Sequence, residues 1–228
     1  MKPIRDIFEL FFPKLCLHCE EQLHANEEYI CLQCRFELPL SNFSNQKGNN
    51  LEKTFYGRTQ IEFATSLLLY QRKGITQHLI HQLKYMGKEE LGTFFGSWLA
   101  TELQTSERCP QFDFIVPVPL HPKKLNTRGY NQVTKFGKKI GEILDVPFNT
   151  SILLRKLDSQ TQTSKLRIER FKDLKEKFFI DNMLLFENKH VLLVDDVVTT
   201  GATVEACIIK LQKIKDIKVS LATIAFTE

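Results

Sequence analysis

Apolar residues in this chain occur in helical spacings and in short unbroken runs. Ile4, Phe8, Phe11 and Leu15 fall at intervals of four, three and four, one face of a short amphipathic helix with Pro3 near its first turn. Residues 41–50 are polar and rich in chain breakers, and they read as a linker. Residues 63–70 form an apolar run short enough for a strand. Ile75, Leu79 and Leu83 mark one helix, and Leu91, Phe94, Phe95, Trp98, Leu99 and Leu103 a second. From residue 112 strands and helices alternate. Strands are predicted over 114–118, 151–154, 189–194 and 218–226. Helices are marked by Val133, Phe136, Ile140, Ile143 and Leu144, and then by Val204, Cys207, Ile208 and Leu211. Apolar strands without clean alternation, separated by amphipathic helices, predict a mostly parallel α/β sheet with helices on both faces. Such sheets bind ligands at the carboxyl ends of their strands.

Composition narrows the class without naming a chemistry. With 43% hydrophobic and 25% charged residues among 228, the chain can build a sizeable core, which excludes an intrinsically disordered protein. Lys and Arg number 31 against 27 Asp and Glu, a balance that does not announce a nucleic-acid binder. No stretch approaches the roughly 18 consecutive apolar residues of a membrane helix. Asp6 and Glu9 interrupt what would be a signal-peptide core, so a cytoplasmic location is expected.

Four of the six cysteines change the picture. Cys16 and Cys19 form one Cys-x-x-Cys pair, Cys31 and Cys34 a second, with eleven residues between the pairs. Two such knuckles supply four thiolates in a tetrahedron, which predicts a structural Zn2+ with no open position. A disulfide framework would need an oxidising compartment, and a redox motif usually occurs once, beside a strand–helix unit. His18 and His24 stand close enough to replace a ligand, but with four thiols at hand they are expected in solvent. Cys109 and Cys207 are expected as small buried apolar residues.

The most informative segment is residues 190–203, HVLLVDDVVTTGAT. An apolar strand ends in Asp195 and Asp196, then come small hydroxylated residues and one glycine, then a helix. Successive N–H groups of residues 199–203 can wrap an anion at the helix N-terminus, with Gly201 allowing close approach. The carboxylates repel a phosphate but suit the two vicinal hydroxyls of a ribose, because an ionised carboxylate accepts two hydrogen bonds. A P-loop would require G-x-x-x-x-G-K-[ST], and a dinucleotide fold G-x-G-x-x-G; the chain has neither. An ordinary strand–helix turn with Asp and Thr as caps is the plainer reading, but it uses fewer of these residues.

Residues 191–203 resemble the PRPP-binding motif of type I phosphoribosyltransferases. The cysteine cluster, Lys84-Tyr85-Met86-Gly87, Pro117-Val118-Pro119-Leu120-His121 and Arg128-Gly129-Tyr130-Asn131-Gln132 occur ahead of it in the order seen in the ComF family. These are competence-associated, phosphoribosyltransferase-like proteins, and the resemblance covers nearly the whole chain. It implies a type I phosphoribosyltransferase-like core at 109–228, a cap or hood at 52–108 and a zinc module at 1–45. It further implies a role in DNA uptake during natural transformation. Asp195 and Asp196 would be the catalytic pair on the ribose. Val198, Thr199, Thr200, Gly201, Ala202 and Thr203 would hold the 5-phosphate of PRPP, and Leu120, His121 and Arg128 would face its pyrophosphate and Mg2+.

Two basic stretches accompany these motifs. Residues 121–140 carry Lys123, Lys124, Arg128, Lys135, Lys138 and Lys139 and no acid. Such cations serve a pyrophosphate leaving group or a nucleic-acid backbone, and they also suit a solvated helix face. Arg128 is expected in a loop of about a dozen residues, longer than a simple connection needs. Residues 155–177 resemble the family's R-x-x-x-[ST]-x-x-Q stretch through Arg155, Ser159 and Gln162, and would form a flap over the site. Ser159 stands where threonine is usual, and Asp173 where asparagine is usual. Two functions follow. One is an enzyme in which a nitrogen nucleophile displaces pyrophosphate from PRPP. The other is a non-catalytic PRPP sensor or single-stranded-DNA-binding competence factor.

Overall fold

The structure, a computed structural model, describes residues 12–155 and 177–228. Helix α1 (Leu32–Phe36) closes the cysteine-rich segment, and α2 (Asn50–Lys53) precedes strand β1 (Ala64–Leu69). Helices α3 (Ile75–Tyr85) and α4 (Glu90–Thr105) follow, then β2 (Phe114–Pro117), α5 (Pro122–Arg128) and α6 (Val133–Leu144). The chain continues through β3 (Leu153–Arg155), β4 (Phe178–Ile180), β5 (His190–Val198), α7 (Ala202–Leu211) and β6 (Lys218–Phe226). Most of the expected helix at residues 4–15 lies outside the described residues. So does the flap at 155–177, except its ends, with Ser159, Gln162 and Asp173.

Four strands form one parallel sheet in the order β1-β6-β5-β2. The expected α/β architecture is therefore present. The stretch read as a cap contributes β1 to this sheet, paired along β6 from Ala64 opposite Leu221 to Leu69 opposite Phe226. Burial on both faces explains the unbroken apolar runs. Along β5, Leu192 and Val194 join the core shared with α3, α4 and α6. Val191 and Leu193 join the core shared with α7. The two-residue period of a strand thus sends alternate side chains into two separate cores.

Both sheet edges are covered. Leu69 N–H donates to Pro39 O at 2.8 Å and Ser41 N–H to Leu67 O at 3.0 Å, while Ile115 N–H donates to Pro147 O at 2.9 Å. These short segments occupy edge groups that would otherwise recruit another strand.

Three expectations are corrected. The stretch 41–50 is no exposed linker: Phe43, Ser44 and Asn49 are buried. Asn49 is the reason, because its side-chain amide donates to Ala64 O at 2.9 Å while its oxygen caps α2 through Glu52 N–H at 3.0 Å. Polar composition here reflects a buried hydrogen-bond hub. The strand at 151–154 forms as β3, but it pairs antiparallel with β4 in a separate two-stranded sheet. Finally, Arg128 does not sit in a long loop. Residues 122–128 are helical, started by Pro122 with the His121 side chain accepting from Lys123 N–H, and stopped by Gly129 at φ 78°.

Candidate functional site

Parallel sheets bind ligands where their strands end, and several of the sequence motifs meet at the ends of β5 and β2. Strand β5 runs past both acids to Val198, still paired with Phe226. The acids are therefore within the strand, and alternation sends their side chains to opposite faces. Asp195 and residues 197–204 line a small pocket of about 60 Å³, roughly the share of liquid volume of two waters. Gly201 caps α7 at φ 73°, a conformation that favours glycine. A Cβ there would also lie 3.1 Å from the Phe55 ring.

Asp196 turns the other way and is buried. Lys84 Nζ lies 3.0 Å from its Oδ1, and Gln132 Nε2 donates to its Oδ2 at 2.7 Å. Lys84 and Gln132 come from two of the short motifs read in the sequence, so three separated segments converge on one carboxylate. Tyr130 Oη donates to Leu83 O, and Arg128 Nη2 donates to Tyr85 Oη at 3.1 Å with its guanidinium 4.8 Å over that ring. These contacts bind the turn after α5 to the end of α3.

Charge in the site is unevenly held. Burial, reinforced by the neighbouring Asp196 charge, pushes the Asp195 carboxyl up to about 8, against the partial relief of Lys84 and Lys124. Of the residues expected at the ligand, Asp195, Val198, Thr199, Thr200, Gly201, Ala202 and Thr203 line the pocket. Asp196, Leu120, His121 and Arg128 do not. The His121 ring accepts from Lys123 N–H at 3.1 Å, so it serves as a helix cap.

The sequence reading missed a second set of contacts around the same loop. Arg58 donates to Thr200 O at 3.0 Å and through Nε to Glu205 Oε2 at 2.9 Å. Nothing in the sequence marks this pair, since 147 residues separate Arg58 from Glu205.

The four cysteines also come together. Their Sγ atoms all lie within 4.8 Å of one another, with Cys19 and Cys31 at 3.6 Å. A tetrahedral ion with sulfur ligands at about 2.3 Å needs sulfurs about 3.8 Å apart, so the set fits a metal ion. Backbone N–H groups of Cys31 and Cys34 each lie 3.4 Å from a cluster sulfur, at Cys16 and Cys31 respectively. His18 and His24 stay outside this set. His24 is exposed as expected, whereas His18 is half-buried, with its Nδ1 3.2 Å from Nδ1 of His78. Cys207 is buried, and Cys109 is half-buried with its thiol raised to about 11 by burial.

The chain shares sequence with proteins named for competence and for DNA utilization. It is 26% identical to Competence protein F of Haemophilus influenzae over 204 residues, 85% of this chain and 88% of that protein. It is 35% identical over 122 residues to Competence protein ComFC of Streptococcus pneumoniae, and 31% identical over 129 residues to DNA utilization protein YhgH of Escherichia coli. The matched segments span 50% and 56% of those two proteins, about half of their length. No family model matches the chain. Among solved structures, the glutamine PRPP amidotransferase of B. subtilis superposes with a TM-score of 0.42 at 15% identity, covering 62% of this chain and 30% of that one. The adenine phosphoribosyltransferase of Leishmania tarentolae superposes with a TM-score of 0.40 at 15% identity, covering 70% and 90%. Among the described residues no helix is long and apolar enough to cross a membrane. By sequence, this chain is similar to proteins named for competence and for DNA utilization, over as much as 85% of its length.

Proposed function

We propose that the chain binds PRPP at the end of β5, with the 5-phosphate on residues 199–203 and the ribose hydroxyls on Asp195. The observation that carries this reading is the pocket lined jointly by Asp195 and residues 197–204. Among the described residues, the N–H groups of Thr200, Gly201, Ala202 and Thr203 have no backbone acceptor, which leaves them for an anion. Asp196 supports the site from within by holding Lys84. Mg2+ belongs to this reading as the counter-ion of the pyrophosphate and arrives with the substrate.

As an enzyme, the chain would be a phosphoribosyltransferase. A nitrogen nucleophile attacks C1 of the ribose, the C1–oxygen bond breaks, and pyrophosphate leaves with the electron pair. Cations near the end of β2, Lys84 and Lys124 among them, would stabilise the charge that develops there. The four cysteines would hold structural Zn2+. A zinc-binding set of four cysteines suits a reducing compartment, which supports a cytoplasmic location.

A second reading, a non-catalytic factor that senses PRPP or grips single-stranded DNA, draws on Lys123, Lys124 and Lys138. They are exposed and make no ion pair among the described residues, as phosphate-seeking cations would be. Thermal unfolding separates PRPP binding, common to the enzyme and the sensor, from a role that grips DNA alone, and pyrophosphate release separates the enzyme from the sensor. At one hundred times its dissociation constant, Mg2+-PRPP should add about 2.7 kcal/mol of stability. For this chain length that is a rise in Tm of about 5–10 °C. Asp195→Asn should abolish the rise. A response to a single-stranded oligonucleotide with none to PRPP would replace the first reading by the second.

A further inference from the structure

Arg58 touches the anion loop without lining its pocket. Its Nη1 donates to Thr200 O at 3.0 Å and to Thr54 O at 2.9 Å. Its Nε and Nη2 both donate to Glu205 Oε2, the former at 2.9 Å. One guanidinium thus ties the turn after α2, the loop and the first turn of α7 together.

Two physical consequences follow. A peptide unit is planar, and the described residues contain no cis bond, so the Thr200 carbonyl and the Gly201 N–H point in opposite directions. With the carbonyl held by Arg58, the Gly201 N–H is turned away from Arg58. The second consequence is electrostatic. Glu205 is 5% exposed and sits in the first turn of α7, where its charge would compete with any ligand anion for the positive end of the helix. Arg58 neutralises it in place.

We infer that Arg58 is a positioning residue of the anion loop, fixing the Thr200–Gly201 peptide so that its N–H serves the phosphate and cancelling the Glu205 charge beside it. This rests on the proposed binding of PRPP. The two partners separate the role from plain structural support. Both Arg58→Gln and Glu205→Gln abolish the ion pair, but only Arg58→Gln releases the Thr200 carbonyl.

Calorimetric titration of the full chain with Mg2+-PRPP, and separately with ribose 5-phosphate, tests the assignment. Arg58→Gln should weaken both probes by about tenfold or more, and Glu205→Gln should stay within about threefold of the unaltered protein, because only the former loses the oriented donor. Should Arg58→Gln fail to fold, Arg58→Lys carries the same expectation, since an ammonium keeps the charge without the fork that spans carbonyl and carboxylate. Equal losses in the Arg58 and Glu205 variants, or unaltered binding by the Arg58 variant, would overturn the inference. If the unaltered protein binds neither probe, the PRPP reading itself fails, and the role of Arg58 falls with it.

Discussion

Asp195 is the residue in which function and stability are set against each other. Its carboxyl is raised because burial and the Asp196 charge disfavour ionisation. The folded state therefore holds this proton more tightly than the unfolded chain does. Between the ordinary carboxylate range and about 8, folded molecules carry the excess protons, so this group lowers stability as pH rises through that window. Asp195→Asn removes the titration. Urea unfolding should find the variant more stable than the unaltered protein at pH 8.5, by a margin that shrinks steadily as the pH falls towards 4, even though it no longer responds to PRPP. A variant that is less stable at pH 8.5 would show that the charged carboxylate is well solvated or paired. The adjacent acid meets other partners, because alternation along β5 turns it towards Lys84 and Gln132. Two identical neighbours in sequence are thus set on opposite faces by half a strand period, which the motif alone did not reveal.

Among the elements, α4 and α6 pack together beside the sheet end that Lys84, on α3, and Gln132, just before α6, approach. They pack closely because Gly96 leaves room. A Cβ at Gly96 would sit 2.6 Å from the Phe136 carbonyl oxygen, a backbone atom that cannot swing aside. Gly96→Ala should therefore cost about 1–3 kcal/mol by forcing the helices apart. Equilibrium unfolding would measure it, and unchanged stability would mean that the helices can shift freely. Both helices were legible from their apolar spacing, as were the four strands of the parallel sheet, because burial on two faces leaves a strong signal in sequence. Polar residues that turn inward leave a misleading one. Asn49, inside an apparent linker, is the clearest case; the helix at Pro122 to Arg128 was missed for the opposite reason, since none of its residues is buried and it carries no apolar stripe. The Arg58–Glu205 contact was illegible because only the finished fold brings those residues together.

For the molecule as a whole, the cysteine module is part of the main core. Cys16, Ile30, Cys34 and Leu38 share an apolar cluster with Leu67, Leu79 and Phe95. Tyr29 meets Phe94 edge-on at 5.8 Å, and the Arg35 guanidinium lies 4.6 Å over Trp98. The purified protein should carry one zinc per chain by elemental analysis, and Cys31→Ser should lose it. Because the core is shared, that variant should unfold in one transition at lower temperature. Two resolved transitions would mean that the module folds independently. The same continuity links the module through α3 to Lys84 and so to the end of β5, where every proposed step takes place. The most direct test is to follow backbone amide resonances while PRPP and Mg2+ are added. The largest shifts should fall on Thr199 to Thr203 and on Asp195. Saturable binding that leaves those amides unmoved and perturbs another surface would contradict the assignment of this loop as the phosphate site.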